Sequence, residues 1–380
     1  MRIAIVSRIF APEPSAATFR LQALASRLHS DGHSVDVITA SLPPGTAEID
    51  VPYRIRRVPV LRDSSGYVRG YIPYMSFDIP AWALLSFGRR YDAVIVEPPP
   101  TTGFVTRLAT TLRSTPYYYY CADVWADAAG QTGSPAIVVR AVRAMESFAW
   151  RGARHLLSVS EGVTERVRQL GITTPVTTIG NGIDITPFTA ASRPCSGSEF
   201  IYAGTASEWH GAGIFLEALP SVHLSHPEAT IRFIGGGSEI QDLRTLARNL
   251  GVEHAVTFEP VVPPNRLAPS IMSAVASLAS VKPHAGYDFA FPTKMYSAAV
   301  CGTPLIYSGI GPGRAFVTQE VEGEPIGIGV DMVADEVASA MVACLDHPRS
   351  DASREAISSW ARTRLSIDEV ASRAAEIITG

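Results

Sequence analysis

The strongest constraint on this chain is a rhythm in which short β-branched runs end in Gly- or Pro-bearing loops and give way to segments with helical apolar spacing. Arg2 to Ser7 is such a run, and a loop with Pro12, Pro14 and Ser15 follows it. From about Ala16 the apolar positions Leu21, Leu24, Ala25 and Leu28 recur at helical spacing, and Asp31-Gly32 is a usual helix end. Ser34 to Thr39 is a second run. Strand, helix and strand in that order almost always form a right-handed parallel crossover. The opening of the chain therefore already reads as α/β.

The rhythm continues at Tyr91 to Pro100, Pro116 to Trp125, Ala153 to Ser160 and Pro175 to Gly182, each an apolar run ending in a polar, Gly- or Pro-rich loop. After Phe188 the segment TAASRPCSGSE has the small, polar composition of a linker. A second series follows at Glu199 to Thr205, Thr230 to Ser238, Ala255 to Val262, Ala276 to Pro283 and Thr303 to Gly309, and Asp335 to Ile378 reads as helices. A chain of 380 residues suits two such domains. The expected architecture is two doubly wound, Rossmann-like α/β domains, with ligands at the carboxyl ends of the strands.

Composition narrows the function. Hydrophobic residues make up 46% of the chain and charged residues 18%, which is material for packed cores rather than disorder. A net charge of −4 argues against nucleic acid as a partner, since that needs a basic face. The opening MRIAIVSRIF is too short an apolar run for a signal peptide or a membrane span, so a cytoplasmic protein is expected. Cys121, Cys195, Cys301 and Cys344 are far apart, lack metal-site spacing and read as ordinary buried or half-buried thiols; no carboxylate cluster suggests a divalent metal, and no cofactor is expected.

Three stretches of the second half point to a diphosphate. In AGTASEWHGAG, Gly204 and Thr205 end a strand, and free backbone amides ahead of a helix favour an anion. The alternative is glycine used for packing. In IGGGS, Gly235 and Gly236 form another glycine turn, which does not match the spaced glycines of the dinucleotide fingerprint and disfavours hydride transfer. The third stretch, VKPHAGYDFAFPTKMYSAAVCGTP, holds the chain's only two lysines, Lys282 and Lys294. A helix opens near Thr293 with Lys294 in its first turn, beside the positive end of the helix dipole, a poor place for a cation unless an anion binds there. A solvated surface lysine is the alternative.

Together, RIFAPEPSAATFRLQALASRLHSDGHSVDVIT, DVWADAA, LLSVSEGVTERV with IGNGID, and PTKMYSAAVCGTP resemble glycosyltransferase family 4. The likeness is greatest to the branch of bacterial polysaccharide fucosaminyl- and N-acetylhexosaminyl-transferases, and it runs nearly end to end. It implies a GT-B fold whose domains face across a cleft. An acceptor domain spans 1–188, a nucleotide-sugar domain 189–360, and a C-terminal helix at 361–380 returns to the first domain. It further implies transfer of a hexose or N-acetylhexosamine with retention, without metal, from a nucleotide diphosphate. Uridine comes first and guanosine next on family frequency alone.

The chain departs from the family pattern in places. The usual basic pair on the donor phosphates falls on Thr205 and His210, and the paired glutamates fall on Phe289 and Ser297. Ser15, Ala16 and Ala17 stand where relatives often carry a Gly-Gly that approaches the donor phosphates, and their small side chains still permit that approach, so Ser15 and Ala16 are expected donor contacts. The positive charge left for the diphosphate is Lys294, Lys282, His210 and Arg20, together with helix-start amides. Phe291, Pro292, Thr293 and Ser297 complete the expected donor contacts, and Asp123, at a strand end in CADVWAD, is expected to orient the acceptor or the sugar. For Asp123 a helix cap or buried acceptor is the alternative.

On the acceptor side, RDSSGYVRGYIPYMSFDIPAWALL mixes aromatic residues with Arg62 and Arg69, and Tyr71 and Trp125 are the expected acceptor contacts. That segment suits a membrane interface or a lipid-linked acceptor, hence peripheral membrane contact. The plainer reading, a core helix with a packed loop, is the stronger one. The acceptor is a glycan, a lipid-linked saccharide or a small molecule. A nucleotide-sugar epimerase and a catalytically silent nucleotide-sugar or glycan-binding protein are the competing functions.

Overall fold

A computed structural model describes residues 1–13, 15–62, 68, 71–131, 134–188, 197–285, 287–288 and 290–380, with only the backbone of Tyr71 and Gln131. Phe289, Arg69, Cys195 and most of the expected linker lie outside the described residues, as does the side chain of Tyr71. The chain forms two compact units, residues 1–182 with 367–380, and residues 183–366. The expected boundaries after 188 and 360 both fall inside the second of these.

Unit 1 opens with β1 (Arg2–Val6), α1 (Ala16–Ser30), β2 (Ser34–Ala40) and β3 (Arg54–Val58). It continues through α2 (Tyr71–Phe87), β4 (Ala93–Val96), α3 (Pro100–Arg113), β5 (Tyr117–Cys121), α4 (Trp125–Gln131) and α5 (Ala136–Gly152). It then runs through β6 (His155–Ser158), α6 (Glu161–Gln169) and β7 (Val176–Thr178). The seven strands are all parallel in the order β3-β2-β1-β4-β5-β6-β7, with Ile3 beside Val35 on one side and Ala93 on the other. Strand order reverses between β1 and β4, so the loops after these strands diverge and leave a crevice there.

Local chemistry sets α1. The Ser15 side chain caps its first turn by accepting from the Thr18 amide at 3.0 Å, and Leu21, Leu24, Ala25 and Leu28 are buried on its inner face. Burial of both faces of β1, with Ile3, Ala4, Ile5 and Val6 inaccessible, gives the near-continuous apolar run expected of a central parallel strand. Each fully buried isoleucine there contributes about 1.5–3 kcal/mol of transfer free energy.

Unit 2 repeats the plan with β8 (Glu199–Ala203), α7 (Gly213–Val222), β9 (Thr230–Ile234), α8 (Ile240–Asn249), β10 (Val256–Glu259), α9 (Pro264–Ser273) and β11 (Ala276–Ser280). There follow α10 (Lys294–Val300), β12 (Leu305–Ser308), α11 (Pro312–Val317), the hairpin of β13 (Glu320–Val321) and β14 (Glu324–Pro325), and β15 (Gly327–Val330). Helices α12 (Ala334–Asp346) and α13 (Asp351–Leu365) end the unit. Its main sheet is parallel in the order β10-β9-β8-β11-β12-β15 and reverses between β8 and β11. The last helix, α14 (Ile367–Thr379), packs on α1 in unit 1. Among the described residues no helix is long and apolar enough to cross a membrane.

Candidate functional site

In unit 2 the crevice between β8 and β11 brings together most of the residues singled out from the sequence. Lys294, the first residue of α10, does not face solvent as an isolated surface lysine would. Its half-buried stem reaches the loop after β8, where Nζ donates to the Tyr202 hydroxyl and, at 3.0 Å, to the Thr205 carbonyl. The ammonium also lies 3.8 Å from the centroid of the Tyr202 ring. A Cβ on Gly204 would meet Lys294 Cε at 3.3 Å, so glycine there leaves room for the lysine stem. Burial brings the Lys294 pKa down to about 7. Lys282 follows β11 and is half-buried, with its stem against Gly211. Among the described residues neither lysine has a carboxylate within ion-pair distance.

His210 is not the cation that the sequence reading makes it. It is buried, stacks on Trp209 with ring centroids 3.6 Å apart, and accepts the Ser207 amide on Nδ1 at 3.2 Å. Burial and, secondarily, Lys294 push its pKa down to about 3, so the ring is neutral at physiological pH. Four amides of this loop are committed within the fold. Gly204 donates to Ile234, Ala206 to Gly236, and Ser207 and His210 to each other's acceptors. With His210 neutral, the side-chain positive charge falls to the two lysines.

The IGGGS turn is glycine-rich chiefly because two loops touch. A Cβ on Gly235 would sit 2.1 Å from the Gly204 carbonyl oxygen, and one on Gly237 would sit 2.0 Å from that of Ala206. Gly236 has open space, its nearest neighbour being Val261 at 3.9 Å. Phe291 is likewise occupied. Its ring packs against Tyr296 and Phe316 at centroid distances of 4.6 and 5.1 Å, as part of the core rather than as a free platform. Pro292 is buried, Thr293 is exposed at the start of α10, and Ser297 is half-buried one turn further on.

In unit 1 the crevice between β1 and β4 holds a buried charge network. Arg20 is 3% exposed, donates to Glu97 and Asn181, and lies 4.7 Å from the centroid of Tyr120. It is thus already neutralised by Glu97, which corrects its reading as a cation available to a diphosphate. Ser15 is spent as the cap of α1, and Ala16 is the exposed first residue of that helix. Asp123 follows β5 and is exposed, with the Arg20–Glu97 pair near enough to act on its charge. Desolvation pushes its carboxyl up to about 6, with Arg20 opposing and Glu97 adding to the shift.

Trp125 opens α4, where its amide donates to Glu146 at 2.8 Å. Burial raises Glu146 to about 7 against the two backbone amides it accepts. The Trp125 ring meets Tyr74 edge-on and lines a mostly apolar cavity of about 300 Å³ with Pro99, Thr101, Val142 and Met145. Glu97, Asn181, Tyr74 and Tyr202 were not singled out from the sequence. Glu97 had one usable signal, a carboxylate directly after an apolar parallel strand.

The comparisons with known proteins agree with this architecture. Residues 15–182 match the model of a glycosyl transferase 4-like domain, and residues 197–347 match glycosyl transferases group 1. Glycogen synthase of Mycobacterium tuberculosis is 31% identical over 239 residues, 60% of this chain and 54% of that protein. The chain spans about half the length of the curated relatives it matches, or less. Sucrose-phosphate synthase of Thermosynechococcus elongatus superposes with a TM-score of 0.72 at 16% identity, covering 99% of this chain and 98% of that one. Anabaena HepE in complex with UDP and glucose does so with a TM-score of 0.67 at 16% identity, covering 100% and 99%. With two parallel α/β units in the order of the two matched domains, the chain belongs to the family 4 glycosyltransferases and has the GT-B fold.

Proposed function

We propose that this protein transfers a hexose or N-acetylhexosamine from a nucleoside diphosphate sugar, UDP first and GDP next, with retention at the anomeric carbon and without a metal ion. The observation that carries this reading is the pair Lys282 and Lys294, cations without carboxylate partners among the described residues, in the strand-reversal crevice of unit 2. A half-buried ammonium bonded only to a hydroxyl and a carbonyl is stabilised when a diphosphate supplies the missing negative charge. As the anomeric carbon–oxygen bond breaks, charge develops on the leaving phosphate, and Lys294 is placed to stabilise it. The acceptor hydroxyl attacks on the same face and its proton passes to the leaving phosphate oxygen. That route asks the protein for positioning and electrostatics rather than for a strong base.

Asp123 in unit 1 orients the acceptor or the transferred sugar, and the cavity beside Trp125 takes part of a glycan, lipid-linked or small-molecule acceptor. The likeness to HepE, whose complex holds UDP and glucose, supports the choice of uridine. Among the described residues no three His, Cys, Asp or Glu side chains are grouped to hold a metal, so the lysines are assigned that charge. The replacement of the family's second glutamate by Ser297 favours one other reading, a nucleotide-sugar binder without turnover.

The test is incubation with UDP- and GDP-hexoses, with and without candidate acceptors, followed by product analysis. Transfer, or slow donor hydrolysis, with the anomeric configuration retained is the expected result. Conversion of the donor to its epimer without acceptor would identify an epimerase instead. Tight donor binding with neither transfer nor hydrolysis would identify a silent binder.

A further inference from the structure

The two loops that frame the strand reversal in unit 2 are joined by a stack of aromatic rings. His210 and Trp209 come from the loop after β8, and Tyr287 from the loop between β11 and α10. The Trp209 ring lies 3.6 Å from that of His210 at an interplanar angle of 26°, and 4.9 Å from that of Tyr287 at 24°. The inner end of this ladder is closed, since His210 is buried, whereas Tyr287 is 39% exposed. The Trp209 carbonyl accepts the Lys282 amide at 2.9 Å, which pins the ladder beside one of the two lysines of the crevice.

The backbone around Tyr287 is held by its own bonds. The Tyr287 carbonyl accepts the Ala290 amide at 2.7 Å, and the neighbouring Asp288 accepts the His284 amide on Oδ1 at 2.8 Å. A Cβ on Gly311 would sit 2.0 Å from the Asp288 carbonyl oxygen, so the loop after β12 abuts this turn as well. Four residues further on, Phe291 turns into the core against Tyr296 and Phe316. Tyr287 is instead kept outside and stacked on a second ring, which offers an apolar face beside the cations of the crevice.

We infer that the outer face of Tyr287 carries the C–H face of the sugar in the donor, so that this residue reads the sugar and not the nucleotide. The inference rests on the reading of Lys282 and Lys294 as the diphosphate site. A nucleotide sugar has a ring on either side of its diphosphate, the hexose and the base, and an aromatic face suits both. Asp288 favours the hexose. Its Oδ2 has no hydrogen bond among the described residues, with the exposed His284 ring 3.7 Å away, and an ionised carboxylate can only accept. A hexose presents several hydroxyl donors around its C–H face. Uracil presents two carbonyls that a carboxylate repels, and a single N–H.

The test is calorimetry of the full chain with UDP, UDP-glucose and UDP-N-acetylglucosamine, with GDP and GDP-mannose alongside. Tyr287→Ala should weaken binding of the nucleotide sugar by roughly tenfold and leave the bare diphosphate within about twofold of the parent. Tyr287→Phe, which keeps the ring, should bind both as the parent does. Melting temperatures of the ligand-free variants should stay close to the parent's, because this ring is exposed and ends the stack. Equal losses for the diphosphate and the nucleotide sugar would overturn the inference, by placing the base or the phosphates on the ring. So would unchanged affinity for both, which would leave the ladder as loop packing. A parent protein that binds no nucleoside diphosphate would reject the diphosphate site itself, and this inference with it.

Discussion

The ammonium of Lys294 lies 3.8 Å above the ring of Tyr202, held between that residue's hydroxyl and the Thr205 carbonyl. The contact fixes where the charge sits before any ligand arrives, and such preorganisation lets an electrostatic group act on a transition state without reorganising at the moment of reaction. Because the stem also packs against Gly204, truncation removes packing together with charge. Lys294→Met separates the two, keeping an unbranched apolar stem without the ammonium. It should fold as the parent does yet lose on the order of a hundredfold in kcat/KM. Lys294→Arg should recover only part, since the guanidinium fork differs in shape from an ammonium. Retention of more than about a third of the parental kcat/KM by Lys294→Met would move the role to Lys282.

The lowered pKa of Lys294 makes ligand binding proton-linked. The free protein holds this lysine half-protonated near pH 7, and a bound diphosphate favours the charged form, so binding at pH 8 should take up a proton. UDP affinity should fall as pH rises above about 7, by at most about tenfold per unit. Calorimetry in buffers of different ionisation enthalpy measures the uptake directly, and Lys294→Met should abolish it. Stability of the ligand-free protein runs the other way. Above pH 7 the unfolded chain holds the proton that the folded one has lost, so this group's contribution rises with pH toward the usual lysine range.

Adjacent glycines of one turn should respond in opposite ways. Gly235→Ala would drive a methyl group into the Gly204 carbonyl at a φ of +152°, and should cost about 2 kcal/mol or more. Gly236→Ala meets nothing closer than 3.9 Å and should stay within about 0.5 kcal/mol. Denaturant melts of the two variants decide the matter, and equal effects would show that the two loops are not in contact as described.

Much of this architecture can be read along the chain, because buried parallel strands are written as apolar runs with glycine or proline at their carboxyl ends. The unread strands are those that lack this signature. β3, RIRRV, is an edge strand whose arginines dilute the apolar run, and β15, GIGV, is short and half glycine. Gly327 stands there because a Cβ would lie 2.3 Å from the Leu305 carbonyl oxygen, a constraint that only the folded sheet reveals. At the site, Lys294 is visible from its conflict with the helix dipole. Tyr202, within an apolar strand, gives no sign that its hydroxyl faces the lysine. Arg20 reads as a free cation only because its counter-ion, Glu97, lies far along the chain. Ser15 reads as a donor contact, and the folded chain adds a second task that the sequence reading does not name, the cap of α1.

Chelation should leave transfer unchanged. The chain lacks metal-type cysteine spacing, and among the described residues no His, Cys, Asp or Glu cluster could hold an ion at the diphosphate. Initial rates measured with EDTA should therefore match those measured without it. Activity lost on chelation and restored by manganese would reject the metal-free mechanism.

The network of Arg20, Glu97 and Asp123 should be legible in pH–rate profiles. If ionised Asp123 orients the acceptor, kcat/KM should fall below a pH of about 6, where desolvation has placed its carboxyl. Glu97 adds to that shift and Arg20 opposes it, so the two can be varied in opposite senses. Glu97→Gln removes a nearby negative charge and should move the acidic limb to lower pH, with the amide oxygen still able to accept from Arg20. Arg20→Ala should move the limb to higher pH. It should also destabilise the fold by about 3–5 kcal/mol, because it leaves the Glu97 carboxylate buried without its partner. Asp123→Asn should keep the fold and lose the limb together with most of the rate. An acidic limb that neither Glu97→Gln nor Arg20→Ala displaces would mean that a group other than Asp123 titrates there.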